Sequence, residues 1–399
     1  MLTLAFLGLL LVVAQVLALL PWMLFLGGDR LWLWVREKGG VRKLWLPGGG
    51  ALVGGVLVVS GIFALFLSTV QDRGTLEGWG RFYASILQAQ LIVDLLVLVF
   101  LVMLRVWPKG GAVAMAAFRE AVRQPMFWLF LLFAVLVLMP LAVILPFYTF
   151  GEDVLMMTEI DFDIIMFLAV IFCVFTASIS ISDEIEGRTA VTLMSKPVSR
   201  RQFLLGKYFG ILSAALLMTL LLGWVFNWMI LGRSWFDKMD PEPPPGRLTL
   251  FLEAWAPAGE ATDFLRGAGL WIFQTADLLP GLVLGFGQVM VLLAIAVSLA
   301  TRLPMIVNVP ICLLVYFLGH LTPTLTLIAR HYKQNEAPGS PVAQMLSFMA
   351  NLFDQLLPSL EYFRPGLAAL VGRVTVYGVL YTIIMLLLGL ILFEDRDLA

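Results

Sequence analysis

The sequence predicts an all-α, polytopic membrane protein with about nine transmembrane helices. Three observations predict it. Of 399 residues, 61% are hydrophobic and 13% charged, about half the charge share of a soluble domain. The mean hydropathy of +0.95 is more than a soluble core of this size can hide from water. The apolar residues also fall in runs of about 20, the length that crosses a bilayer as a helix.

Nine stretches meet that length, near residues 3–27, 51–70, 86–107, 127–147, 164–182, 205–231, 278–300, 304–321 and 374–393. The first, "MLTLAFLGLLLVVAQVLALLPWMLFLGG", has no basic n-region and no small-residue cleavage site, so it reads as a retained span. The seventh and eighth are joined only by "TRLP", a tight hairpin. Sixteen of the 26 Lys and Arg residues fall in one alternate set of loops, which the positive-inside rule makes cytoplasmic. This places the N-terminus outside and the tail "FEDRDLA" inside. The loop "YTFGEDVLMMTEIDFD", with five acids and no Lys or Arg, suits the outside. Two further external loops are long: 233–277, with the stiff "DPEPPPG", and 322–373.

Three spans precede residue 108 and six follow it. Between them runs "WPKGGAVAMAAFREAVRQPMFW". Met115, Phe118 and Val122 share one helical face, and Arg119, Glu120, Arg123 and Gln124 share the other. Prolines at 108 and 125 bound the segment. It reads as an amphipathic helix in the cytoplasmic interface. The expected organisation is a three-span extension (1–107), an interfacial helix (108–126) and a six-span core (127–399).

Several function classes lose support. There is no GxxxxGK[ST], so no P-loop for ATP. HExxH and GxSxG are absent, and the only histidines are His320 and His331. Cys173 and Cys312 lie in apolar runs, where cysteine acts as a small hydrophobe. A net charge of −1 offers no field for nucleic acid. No cofactor or metal is expected to bind the chain directly. Polar residues inside spans are few. Gln90 and Asp94, four apart, share a face of the third span, and Asn227, Gln288 and Asn308 punctuate later ones. An intramembrane acid is a functional candidate; it also serves as interhelical packing glue.

The densest polar stretch is "ISDEIEGRTAVTLMSKPVSRRQFLLGKYFG", between two apolar spans. Asp183 and Glu186 are spaced as a capping box at a helix start, with Glu184 in the same turn. Gly187 weakens this helix and Pro197 ends it. Ser199 then caps a second helix, with Gln202 closing another box. Arg200 and Arg201 are expected at the membrane surface, and Lys207 is expected to snorkel. The loop therefore predicts a rigid helical elbow over residues 182–204.

This stretch resembles the signature of the permease subunits of ABC-2 type ABC exporters. The matching residues are Glu184, Glu186, Gly187, Thr189, Pro197, Ser199, Arg200, Gly206 and Lys207. Arg188, between the Gly and the Thr, departs from the commonest form. The interfacial helix with Phe118, Arg119 and Arg123, the six spans after it and the "FEDRDL" tail also resemble that family, over about residues 108–399. The resemblance implies a non-catalytic permease in the cytoplasmic membrane. It would pair with a second copy or a homologue, and dock separate ATPase subunits at an elbow that includes Asp183 and Glu184. ATP would be bound by that partner. Two other classes stand beside this one: an ion- or proton-coupled carrier using Asp94, and a membrane scaffold or intramembrane enzyme working through its external loops.

Overall fold

The computed structural model describes residues 6–22, 47–70, 72–144, 153–186, 198–236, 250, 259–335, 341–363 and 371–394. Among them the regular structure is helical, with no strand. The helices are α1 (Phe6–Trp22), α2 (Pro47–Leu67), α3 (Arg73–Val106), α4 (Pro108–Arg123), α5 (Pro125–Ile144) and α6 (Asp153–Glu186). They continue with α7 (Arg200–Phe236), α8 (Glu260–Ala300), α9 (Met305–Asn335), α10 (Pro341–Leu356), a 3-10 turn at Leu360–Phe363, and α11 (Val371–Glu394). Four of them open on proline, where its missing N–H costs nothing.

A helix stands at each of the nine expected spans. Six are long and apolar enough to cross a membrane by themselves: α3, α6, α7, α8, α9 and α11. Helices α4 and α5 pass that test only together and are bent by 56° at Gln124. Described as Phe6–Trp22 and Gly54–Leu67, the first two apolar helices are shorter. The protein is thus a multi-pass membrane protein, with six such spans among the described residues, or seven with the bent pair.

Several helices are longer than the sequence pattern suggests. Helix α8 has 41 residues, about 60 Å against a hydrocarbon core of about 30 Å. It begins at Glu260, so 260–277 is helical where a loop was expected. Helix α6 begins at Asp153, so Asp161 and Asp163 are helical, just ahead of the expected span 164–182. It also runs on to Glu186, so Asp183 lies near a helix end and caps no helix start. The segment "DPEPPPG" and the last five residues lie outside the described residues.

The chain divides into two compact units. The first comprises Met1–Val102 with Ser234–Asp277. Its core is aromatic: Phe63 packs against Trp79, Tyr83 and Phe264 with ring centroids 6.1–6.4 Å apart. Helix α3 and the first turns of α8 touch backbone to backbone, because Gly80 faces Phe264 and Gly267 faces Glu77. Any Cβ at either glycine would collide with a main-chain oxygen. Arg73 pairs with Asp263 at 3.1 Å. Asp72 caps α3 by accepting from the Thr75 hydroxyl and amide at 2.6 and 2.9 Å. Those bonds hold its carboxyl below the usual value.

The second unit comprises Met103–Arg233 with Leu278–Ala399. Residues 291–298 of α8 are all buried, as expected of a central helix that is apolar all round. Its seam with α11 is small: Gly389 lies against Ser298, whose hydroxyl donates to the Met385 carbonyl at 2.5 Å. Outward faces remain apolar. Leu129, Leu132 and Leu136 of α5, and Leu380, Ile384, Leu387 and Ile391 of α11, are exposed, as lipid solvation requires. Cys173 and Cys312 are fully buried.

A buried lysine cluster as the candidate functional site

The polar loop of the sequence leads to one end of the second unit. Helix α7 starts there with a reciprocal capping box. The Ser199 amide donates to Gln202 Oε1 at 3.1 Å, and the Gln202 amide donates to Ser199 Oγ at 3.2 Å. Two orphan donors of the first turn are satisfied at once. This is the second box that the sequence predicts.

Two turns into α7, Lys207 does not reach outward to a membrane surface. It is 4% exposed. Its ammonium donates to Glu184 Oε1 of α6 at 2.5 Å, to Ser180 Oγ at 2.7 Å and to Glu120 Oε2 of α4 at 3.0 Å. Ser180 donates in turn to Glu120 Oε1 at 3.2 Å. An ammonium has three donors, and all three are used. Glu184 stands in the last turn of α6, where the helix dipole disfavours an acid. The lysine compensates. One side chain thus ties α4, α6 and α7 together.

Helix α4 sits against α7 through small residues. Its buried positions are Gly110, Gly111, Ala114, Ala117 and Ala121. Of these, Gly110, Ala114 and Ala117 face Gly206 and Gly210, one helical turn apart on α7. A Cβ at Gly206 would lie 2.7 Å from Val113 Cβ, and one at Gly210 would strike the Ala114 carbonyl. The expected apolar face of Met115, Phe118 and Val122 is only half-buried and flanks this seam. The reason is steric: the smallest side chains let two backbones approach, and the large ones are displaced to the rim. Arg119 and Arg123 are exposed.

A second set of contacts closes the same end. Arg200 Nη1 donates to the carbonyls of Phe393 and Glu394 at 3.0 and 2.9 Å, and its guanidinium lies over the Phe393 ring. Arg302, in the "TRLP" turn, donates to the Leu392 carbonyl at 2.8 Å. Two cations therefore cap the last turn of α11, where orphan carbonyls and the helix dipole favour them. Ser182 donates to the Leu303 carbonyl at 3.2 Å and joins α6 to that turn. Deeper in the unit, Asn308 donates to Ser178 Oγ and the Ala296 carbonyl at 2.9 and 3.0 Å.

Beside Lys207 a groove of about 520 Å³ opens between α4 and the start of α7. Ala112, Val113, Ala116, Val198 and Phe203 form its apolar wall, with Lys207, Glu120 and Glu184 at one edge. It has the size of a site for a partner side chain or a small ligand.

Of the residues singled out in the sequence, Glu184, Ser199, Arg200 and Lys207 fall in this region. Gly187, Arg188, Thr189 and Pro197 lie outside the described residues, as do the side chains of Asp183 and Glu186. Gln90 and Asp94 belong to the first unit. Asp94 is 2% exposed and accepts from Trp22 Nε1 at 2.8 Å. In the same helix Gln88 accepts from Trp271 Nε1 at 2.7 Å. The partners Glu120 and Ser180 were not legible as site residues. The one available signal was "ASISISDE", a run of hydroxyls in an apolar helix, which marks interhelical contacts.

A family profile described as ABC-2 family transporter protein matches residues 111–398. No curated protein sequence matches the chain.

Proposed function

We propose, for a chain that belongs to the ABC-2 family of transporter proteins, that it is the permease subunit of an ATP-driven exporter and that the Lys207 end of its second unit is where a separate ATPase subunit docks. The observation that carries this reading is the junction at Lys207. A partner that pushes on α6 or α4 there acts on α7 as well, because one buried ammonium holds all three. Coupling of this kind needs an element with defined arrangements and little slack. A capped helix start, a glycine seam and a three-way ion pair supply that stiffness.

In this reading the elbow of residues 182–204 and the groove beside it face the cytoplasm, the N-terminus is outside and the C-terminus inside, in accord with the distribution of Lys and Arg. Two copies, or this chain and a homologue, form the complete permease in the cytoplasmic membrane. The chain itself hydrolyses nothing; ATP is used by the partner. Residues 1–107 form an added three-span extension, and the segments 233–277 and 322–373 include the external loops. The test is affinity purification of the full chain from its native membrane, with an ABC-type ATPase subunit sought in the eluate. The two are expected to co-purify, and Glu184→Gln is expected to leave the complex assembled while reducing transport per ATP hydrolysed. Failure to co-purify, with both proteins folded, overturns the reading.

An ion- or proton-coupled carrier built on Asp94 is the alternative, and the second carboxylate oxygen of Asp94 has no hydrogen-bond partner among the described residues. The Trp22 bond gives Asp94 a packing role that needs no transport chemistry. Asp94→Asn preserves that acceptor, so full transport activity in this variant dismisses the carrier.

A further inference from the structure

The opposite end of the second unit carries a different kind of surface. Helix α6 is mostly buried, yet Asp163 is exposed on it, at the start of its continuous apolar run. Next to it, α6, α8, α9 and the 3-10 turn close around a cavity of about 10 Å³, room for one water-sized group. Its polar lining is Asp163, Gln288 and His320.

All three offer acceptors. Gln288 is 6% exposed, and its Oε1 has no hydrogen-bond partner among the described residues. His320 Nδ1 lies 3.0 Å from the Tyr316 carbonyl. A carbonyl only accepts, so Nδ1 carries the hydrogen and the Nε2 of the neutral ring is an acceptor. Among the described residues no Lys or Arg lines the cavity. One turn further along, the surface is aromatic. Phe167 packs on Tyr316 and Phe317 with centroids 5.4 and 6.1 Å away. The Tyr316 and His320 rings lie 4.5 Å apart, tilted by 52°, and Phe317 is 57% exposed.

From this juxtaposition we propose that Asp163, Gln288, His320 and the Phe167–Phe317 pair form a binding site for an organic cation, a protonated amine on an apolar body. The ammonium enters the water-sized cavity and donates to the three acceptors. The apolar body lies on the aromatic surface, whose ring faces also attract the charge. The site names a substrate class for the export reading, but its geometry does not depend on that reading.

The test uses the full chain in lipid nanodiscs without nucleotide or ATPase. Phenethylammonium is titrated against its neutral isostere, phenethyl alcohol, with the thermal unfolding midpoint and ligand-observed NMR as readouts. The amine is expected to bind saturably and at least ~10-fold more tightly than the alcohol, as a charge-assisted hydrogen bond requires. Asp163→Asn, at an exposed position where folding is indifferent, is expected to abolish that preference. Phe167→Leu is expected to weaken the amine roughly threefold, in keeping with loss of one cation–π contact. Equal binding of amine and alcohol, or no change in Asp163→Asn, means apolar partition only and overturns the proposal. Absence of saturable amine binding by the folded chain overturns it too and leaves the permease reading untouched. Amine binding without ATPase co-purification sinks the permease reading and leaves the site.

Discussion

Lys207 Nζ and Glu120 Oε2 lie 3.0 Å apart across 87 residues of sequence. That distance joins an amphipathic helix to the first turns of a spanning one. Glu184 and Ser180 complete the coordination from a third helix. The cluster is buried at the lysine and opens toward solvent at the acids, whose side chains are 42% exposed at Glu120 and 25% at Glu184.

Removing the lysine should therefore cost most. Lys207→Met leaves two carboxylates without their cation and is expected to destabilise the second unit by about 3 kcal/mol, the lower end for a broken buried pair. Glu120→Gln keeps a hydrogen-bond acceptor at a half-exposed position and is expected to cost under about 1 kcal/mol. The Lys207→Met/Glu184→Gln double variant should cost less than the sum of the two single ones. Thermal unfolding of the unsubstituted chain and the four variants, Glu184→Gln included, in one lipid system checks all three statements.

Backbone contact between α4 and α7 makes a second prediction. Gly210→Ala places a methyl against the Ala114 carbonyl, main chain that cannot rotate away. A loss of about 1–3 kcal/mol is expected from overpacking. Gly232→Ala, with open space around the same atom, serves as the control and should stabilise slightly or do nothing.

The cap on α11 is testable by hydrogen exchange. Arg200→Gln removes the charge from the Phe393 and Glu394 carbonyls. About 1 kcal/mol of local stability is expected to go with it, and the last turn of α11 should exchange about fivefold faster. Exchange at the start of α7 should stay unchanged if the Ser199–Gln202 box holds by itself. Ser199→Ala reverses the pattern, at a cost of about 1 kcal/mol.

In the first unit, Trp22 reports on Asp94. Asp94→Asn retains an oxygen for the indole N–H and should leave Trp22 fluorescence and the unfolding midpoint nearly unchanged. Asp94→Leu removes the acceptor and is expected to cost about 1 kcal/mol through the lost indole bond. Equal loss in both variants would mean that the charge, and not the indole bond, is what Asp94 contributes.

The composition and the apolar runs were enough to fix helical class and membrane setting, because a lipid solvent admits few other solutions for the backbone. The capping box at Ser199 and Gln202 was legible for a similar reason: its geometry is set within four residues. Errors came where an outcome depended on a distant neighbour. Lys207 was expected to snorkel, since an isolated lysine near a membrane boundary does so; it is buried because Glu120 and Glu184 come to it. The face of α4 was assigned to Met115, Phe118 and Val122 by size and spacing, whereas its packing face is the one with the smallest side chains.

By itself, then, the sequence determined what local chemistry and solvent dictate: helices, their approximate places, the elbow's second cap and the likeness of residues 108–399 to a transporter family. Only the tertiary structure decided which polar groups meet. A salt bridge between residues 87 positions apart, an arginine that caps a helix 193 positions away and an exposed acid beside an aromatic patch leave no periodicity to read. Their energy depends on distance and burial, and the fold sets both.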